Sequence, residues 1–377
     1  MVRRVYLDAN ASTPIASDVQ AAMRPFLEDH FGNPSSKHWA GVPAREAVER
    51  ARREVALLLA CDADEVVFTS GGSEASNAAI AGAYFAKGTK DARIVTTTVE
   101  HPATLETCAF LERLGARIEI VPVDRFGRVD PKAIARAIDD KTILITVMHA
   151  NNEVGTIQPI GEIAEIARAR GVWMHTDAAQ SAGKIDVSTR ALGVDLMTIA
   201  GHKLYAPKGV GALYVRRGVK LESFIHGGGH ESGRRAGTES ALLCAGLGAA
   251  CTLALRSLEA GDAARIQALR DRLWSGLLGA LGPDRVVLNG HPEHRLPNTL
   301  NVGFVGRIGA EVLASLDGVA ASTGSACHEG SVELSPVLRA MGVPEHVGMG
   351  AMRFSLGRAT TASEIDHVVQ LVRSCAA

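Results

Sequence analysis

Short apolar runs recur along the first two-thirds of the chain: EVVFT (65–69), RIVTT (93–97), RIEIV (117–121), TILITV (142–147), VWMHT (172–176), DLMTIA (195–200) and GALYV (211–215). Each predicts a strand. Between most of them lie stretches of helical periodicity, such as EASNAAIAGAYFA, PATLETCAFLERL and IGEIAEIARARG. Strands alternating with helices predict an α/β fold, a mostly parallel seven-stranded sheet covered on both faces.

After about residue 238 the pattern changes. A long Ala/Leu-rich helical stretch runs to about 281. It is followed by RVVLN, TLNVGFV, a helix near 309–316, GVAAST, AMRFSLG and a last helix over 362–374. This predicts a smaller α+β domain joined by a long helix. Repeats, low-complexity segments and disordered linkers are absent from the pattern.

Composition narrows the partners. The chain has 377 residues and a net charge of −1, with 46% hydrophobic and 21% charged residues. This gives no global electrostatic case for direct binding of nucleic acid or an anionic membrane. The N-terminus, MVRRVYLDANASTP, lacks the apolar core of a signal peptide, and the apolar stretch ALLCAGLGAACTLAL (241–255) suits a buried helix better than a membrane span. The expected location is cytoplasmic.

The six cysteines form no CxxC and no ligand-like pair. Cys244 and Cys251 read as small buried hydrophobes. Cys327, in ASTGSACHEGS, differs because its neighbours are small and polar.

In open α/β sheets, ligands gather beyond the carboxyl ends of the strands. The first strand is followed there by SGGSEASN, a glycine turn entering a helix, where free N–H groups and the Ser73 hydroxyl suit a phosphate. Next come TVEHPA with His101, MHANNEVG with Asn151 and Asn152, TDAAQSAG with Asp177, and GHKLYAPKGVG with Lys203. Singly, each has an ordinary reading: a common turn, a surface histidine, turn-forming amides. Asp177 ends a buried strand and therefore needs a positive partner. Lys203, at a strand end, can lose its charge by desolvation and become a nucleophilic amine. Together, a phosphate cradle, a ring neighbour, a carboxylate for a ring N–H and a Schiff-base lysine meet the requirements of pyridoxal 5'-phosphate.

At this point the sequence resembles the NifS/IscS-like cysteine desulfurases, in the long-loop group of the class-V branch of fold-type I pyridoxal-phosphate enzymes. The resemblance runs from YLDANASTP and FGNPSS through VFTSGGSEASN, TVEHPA, MHANNEVGTIQPI, HTDAAQSAGK, GHKLYAPKGVGALYVRRG and GGGHESGRRAGTES to PNTLNV, STGSACHEGS and MRFSLGR. It implies a large cofactor domain over 14–255 and a small domain formed by 1–13 with 256–377, carrying the Cys327 loop. It implies that Lys203 binds the cofactor covalently, Asp177 partners the ring nitrogen, and His101 stacks on the ring and moves protons. Asn152 and Gln180 would contact the ring oxygen, and Gly72, Ser73 and His202 the phosphate. Thr238 would be a cofactor contact donated by the second subunit of a homodimer. Arg353 would hold the substrate carboxylate, with Asn152 beside it. Cys327 would take sulfur from L-cysteine as a persulfide, leaving L-alanine, and pass it to a protein acceptor. Its small neighbours fit a loop that moves between cofactor and acceptor.

Several positions depart from the family pattern. Ala200 stands where many relatives have a phosphate-binding serine, and Ser73 replaces a common threonine. His328-Glu329-Gly330 replaces a Thr-Ser-containing stretch after the cysteine. The chain shows little sequence after the last helix, where housekeeping members carry a scaffold-docking tail. That suggests a dedicated pathway: nitrogenase-type clusters, tRNA thiolation or DNA phosphorothioation. The rival reading is a class-V aminotransferase or another lyase on the same scaffold, which would have no use for Cys327. A non-catalytic binding member would have dispensed with Lys203, and a metal centre at His226 and His230 has no completing ligand nearby.

Overall fold

The computed structural model describes residues 3–87, 90–323, 325–328 and 331–376, with the side chains at 325–328, 331, 332 and 376 outside the described set. The first strand, β1 (Val5–Tyr6), precedes the main sheet. That sheet comprises β2 (Val66–Thr69), β3 (Arg93–Thr97), β4 (Arg117–Val121), β5 (Thr142–Thr146), β6 (Trp173–Asp177), β7 (Leu196–Ala200) and β8 (Gly211–Val215). Its order is β2-β8-β7-β6-β5-β3-β4. Strands β3 to β7 pair in parallel, whereas β8 runs antiparallel to both β2 and β7. The reason is the connection: residues 201–210 are too few for the crossover that a parallel neighbour requires.

Successive residues of these strands enter opposite cores. Val66, Phe68, Ile145, Met197, Ile199, Ala212 and Tyr214 pack into one; Val67, Leu144, Leu196, Leu213 and Val215 pack into the other. Both sheet faces are thus covered, and the strand ends are left as the place for a ligand. Because β2 has the direction of β7, the loops after Thr69, Thr97, Thr146, Asp177 and Ala200 all leave from one edge.

A third core is built from the other end of the chain. It contains the antiparallel sheet β12-β15-β10-β9, made of β9 (Val286–Asn289), β10 (Thr299–Phe304), β12 (Ser322–Thr323) and β15 (Ala351–Ser355), and β11 (Val319–Ala320) lies beside β1. Val5 and Leu7 are buried there with Leu273, Leu277, Phe304, Phe354 and Val368. The N-terminal segment therefore belongs with residues from the C-terminal third.

The long helical stretch is not one helix. Gly261, with φ +77°, separates Ala241–Glu259 from Asp262–Leu281. The first half packs against the main sheet's core and the second into the third core. Ala241–Glu259 is the one helix among the described residues long and apolar enough to cross a membrane. Its Cys244, Leu247, Ala250, Cys251 and Ala254 are buried, as in a core helix.

The segment expected as a loop around Cys327 has paired backbone. β13 (Ser325–His328) runs antiparallel to β14 (Ser331–Leu334), with Cys327 opposite Val332. The side chains of Cys327 and His328 lie outside the described residues.

Candidate active site

The loop after β7 closes at once into the tight turn Gly201–Lys203. A Cβ at Gly201 would lie 2.8 Å from the Val210 carbonyl, so a side chain there would collide with backbone. This turn delivers Lys203, whose Nζ donates to the carbonyl oxygens of Asn10 and of Ala11, the latter at 2.8 Å. Burial, reinforced by the Arg353 cation and opposed by Asp8 and Asp177, pushes its amine down to about 8. A neutral fraction of about a tenth is then present at pH 7, far more than an ordinary lysine offers, and the neutral amine is what nucleophilic attack on a carbonyl carbon demands.

Asp177 closes β6 on the same edge. Its Oδ1 accepts the Ala179 N–H at 2.9 Å, and its own carbonyl accepts from the His149 N–H at 2.8 Å. Burial raises its carboxyl above the usual range, while His101 and Lys203 pull it back. The sequence demands a cation for this carboxylate, and among the described residues no ion pair supplies one directly. A protonated ring nitrogen would complete it.

His101 is the N-cap of the helix Pro102–Arg113, whose start is set by the proline that follows. Its Nδ1 accepts the Ala103 N–H at 3.1 Å, so the neutral ring carries its proton on Nε2.

The adjacent amides after β5 divide their work. Asn151 performs turn chemistry: Oδ1 accepts from the N–H groups of Glu153 and Val154 at 2.9 and 3.0 Å, and Nδ2 donates to the Val99 carbonyl. Asn152 contributes its backbone carbonyl to the site, accepting from Arg353 NH1 at 3.0 Å and from Asn10 Nδ2 at 3.2 Å. Arg353, in β15, donates through NH2 to Asp8 Oδ1 and Ser322 Oγ, both at 2.8 Å. Its Nε is buried without a partner.

The phosphate-binding turn is open. Gly71 has φ +155°, and a Cβ there would meet nothing within 4 Å. Gly72 begins the helix Gly72–Lys87, with Ser73 exposed beside it. A Cβ on Gly72 would lie 3.2 Å from the Ala200 Cβ, so Ala200 faces this turn with a methyl group where a hydroxyl could have bound. His202 presents a buried Nδ1 that has no partner, and burial together with the Lys203 charge pushes its ring down to about 4. A neutral imidazole with an orphaned nitrogen, a helix N-terminus with an open glycine turn, a carboxyl awaiting a cation and a part-neutral lysine together fit pyridoxal phosphate. The lysine would hold its carbonyl carbon, Asp177 its ring nitrogen, and Gly72, Ser73 and His202 its phosphate.

Sequence reasoning overlooked the residue that ties these groups together. Asn10 is buried. Its carbonyl accepts from Lys203 Nζ and Gln180 Nε2; its Nδ2 donates to the Asn152 carbonyl and Thr299 Oγ1; its Oδ1 accepts from Asn298 Nδ2 and Lys184 Nζ. Asp8, the partner of Arg353, sits two residues earlier in the motif YLDANASTP. The segment could have been singled out because it places an aspartate and an asparagine between apolar positions. Thr238 is exposed, on a surface loop. His230 pairs with Glu239 at 3.0 Å, and no cluster able to hold a metal ion occurs among the described residues.

Residues 5–368 match the family model described as aminotransferase class-V. The chain belongs to that family. It is 46% identical to "Cysteine desulfurase IscS" of Dictyoglomus turgidum over 374 residues, 99% of this chain and 94% of the relative. Among solved structures it is similar to "NIFS-LIKE PROTEIN", with a TM-score of 0.93, 35% identity and 99% of each chain covered. It is also similar to "SspA in complex with cysteine", with a TM-score of 0.83, 34% identity, 95% of this chain and 100% of that chain. Within the family the chain is a pyridoxal-phosphate-dependent cysteine desulfurase. The rival aminotransferase or lyase activity therefore falls away, as does a non-catalytic role.

Proposed function

We propose that L-cysteine is desulfurated at the edge of the main sheet where Lys203, Asp177, His101 and Arg353 converge, with Cys327 as the sulfur acceptor. The observation that carries this assignment is the Lys203 amine, held on the carbonyls of Asn10 and Ala11 and pushed down to about 8. Pyridoxal phosphate, when bound, supplies a protonated conjugated ring that withdraws electrons from bonds of the substrate.

The chain's own groups do the rest. Asp177 would accept the ring N–H and keep that nitrogen protonated. Gln180 and Asn152 would contact the ring oxygen. Arg353 takes the substrate carboxylate with the guanidinium edge that includes its unpartnered Nε. Lys203 Nζ and His101 Nε2 are the positions where protons are held and moved. The Cys327 thiolate forms a bond to the substrate sulfur; the carbon–sulfur bond breaks, its electron pair stays on carbon, and a proton completes L-alanine. The test is incubation with pyridoxal phosphate, L-cysteine and a thiol reductant. Sulfide and alanine are expected in equal amounts from wild type, and both are lost in Cys327→Ala. A variant that keeps full turnover overturns the role of Cys327.

The enzyme is proposed to work as a cytoplasmic homodimer. The exposure of Thr238 supports a role across a two-fold axis, where one subunit completes the other's cofactor site. The free thiols Cys61, Cys108, Cys244, Cys251 and Cys375 suit a reducing compartment. The division into 14–255 and 1–13 with 256–377 is proposed on the separation of the third core from the other two.

Delivery is proposed to a protein acceptor of a dedicated pathway, iron–sulfur cluster assembly, tRNA thiolation or DNA phosphorothioation, without direct contact to nucleic acid. The unusual His328-Glu329-Gly330 after the sulfur-carrying cysteine supports this. A pull-down that recovers only a housekeeping iron–sulfur scaffold, and no acceptor of a dedicated pathway, overturns it.

A further inference from the structure

Among the described residues, Lys184 is the one lysine besides Lys203 bound into the site's polar network. Its Nζ donates to Gln180 Oε1 at 3.0 Å and to Asn10 Oδ1 at 3.3 Å, and among the described residues no carboxylate pairs with it. Both lysines line one small cavity of about 30 Å3, which also touches Asn298 and Leu356. A partly buried amine near two other cations, Lys203 and Arg353, is an unfavourable place for charge, and burial with these neighbours pushes Lys184 down to about 7. Such a group is costly to retain as filler, since an apolar side chain would occupy the same space without desolvation loss.

Its partners indicate what it does. A side-chain amide can be turned by 180° with little change of shape, exchanging donor for acceptor. Gln180 donates through Nε2 to the Asn10 carbonyl at 3.0 Å while Oε1 receives Lys184. Turned over, Oε1 would face the Asn10 carbonyl and the NH2 group would face the lysine's N–H groups. Lys184 therefore selects one of the two orientations, the one in which Gln180 has an N–H left over. The same amine holds Asn10 Oδ1, and the Asn10 carbonyl holds Lys203.

We propose that Lys184 is a positioning residue that locks the Gln180 amide with its N–H toward the cofactor's ring oxygen. This rests on the assignment of Gln180 to that oxygen.

The test is equilibrium binding of pyridoxal phosphate to cofactor-free protein, with the absorption spectrum of the bound cofactor, for Lys184→Met, Gln180→Leu and the double variant. Loss of one such hydrogen bond is expected to weaken binding about tenfold. Lys184→Met and Gln180→Leu are expected to displace the absorption maximum in the same direction. Because one acts through the other, the double variant is expected to bind no more weakly than Gln180→Leu. Should Lys184→Met not fold, Lys184→Gln is put through the same cycle. Additive losses, or unchanged binding in the lysine variant beside weakened binding in Gln180→Leu, overturn the lock alone. Unchanged binding in Gln180→Leu overturns the assignment of Gln180, and the lock with it.

Discussion

Arg353 NH2 lies 2.8 Å from Asp8 Oδ1, so the guanidinium assigned to the substrate carboxylate is already held by a carboxylate of the chain. Ser322 Oγ joins both, donating to Asp8 Oδ1 and accepting from Arg353 NH2, each at 2.8 Å. The pair fixes the direction of Arg353 while leaving Nε free. Replacing Arg353 by lysine keeps the charge but removes the fork. Arg353→Lys is expected to raise KM for L-cysteine by about tenfold or more, with a smaller change in kcat, in steady-state alanine production.

Asp8 also bears on Lys203, because it is one of the two carboxylates that favour the charged amine. Removing that negative charge makes the ammonium harder to keep, so the amine loses its proton at lower pH. In cofactor-free protein, acylation of Lys203 by a small reagent, read by mass spectrometry, is expected to reach half its limiting rate near pH 8. Asp8→Asn is expected to move that midpoint downward.

Glu100 is buried beneath the site. Oε1 accepts from Thr97 Oγ1 at 2.7 Å, and both oxygens accept from the Met148 N–H at 3.0 and 2.9 Å. Burial raises its carboxyl to about 8 despite these bonds. The folded state therefore holds a proton that the unfolded chain releases above about 4.5. Folding stability from this group is present below that pH and falls as pH rises toward 8. Glu100→Gln mimics the protonated form. Denaturant unfolding of cofactor-free protein is expected to show the variant gaining on wild type between about pH 5 and 8, with no gain at pH 4.

Arg52 and Glu231 form a buried pair with two 2.8 Å contacts, and Glu231 also accepts the Phe68 N–H at 2.8 Å. Glu231 and Ser232 both have positive φ, 49° and 58°, so this anchor holds a strained turn at the base of the segment that carries Thr238. Arg52→Met strands a buried carboxylate and is expected to cost about 3–5 kcal/mol. Hydrogen exchange over residues 226–240 is expected to rise in the same variant.

Much of the fold is legible in the sequence, and the exceptions have physical causes. The strands of the main sheet begin and end within one residue of their apolar runs, because most of them are buried on both faces and read as near-continuous apolar runs; β4, at the edge of the sheet, is partly exposed. The direction of β8 is set by connection length, which a propensity reading does not weigh. The two-residue strands β1, β11 and β12 are created by tertiary pairing and leave no periodicity. β13 and β14 read as a loop in the sequence because small residues surround Cys327; their ladder is a matter of backbone bonds.

The candidate site divides in the same way. Residues that follow strands, Lys203, Asp177 and His101, are found by asking where the sheet ends. Asn10 escapes that question because it follows no strand of the main sheet. Its importance comes from partners 142 to 345 positions away in the chain, which no local pattern encodes.

That separation has a consequence for how the enzyme is made. Asp8 and Asn10 leave the ribosome 345 residues ahead of their partners Arg353 and Ser355. A chain still being synthesised can fold the main sheet and even form the Lys203 turn, yet it lacks the scaffold that fixes Asn10 against them. The polar scaffold around Asn10 can therefore close only after Ser355 has been made, and a chain cut short before Arg353 is left without it.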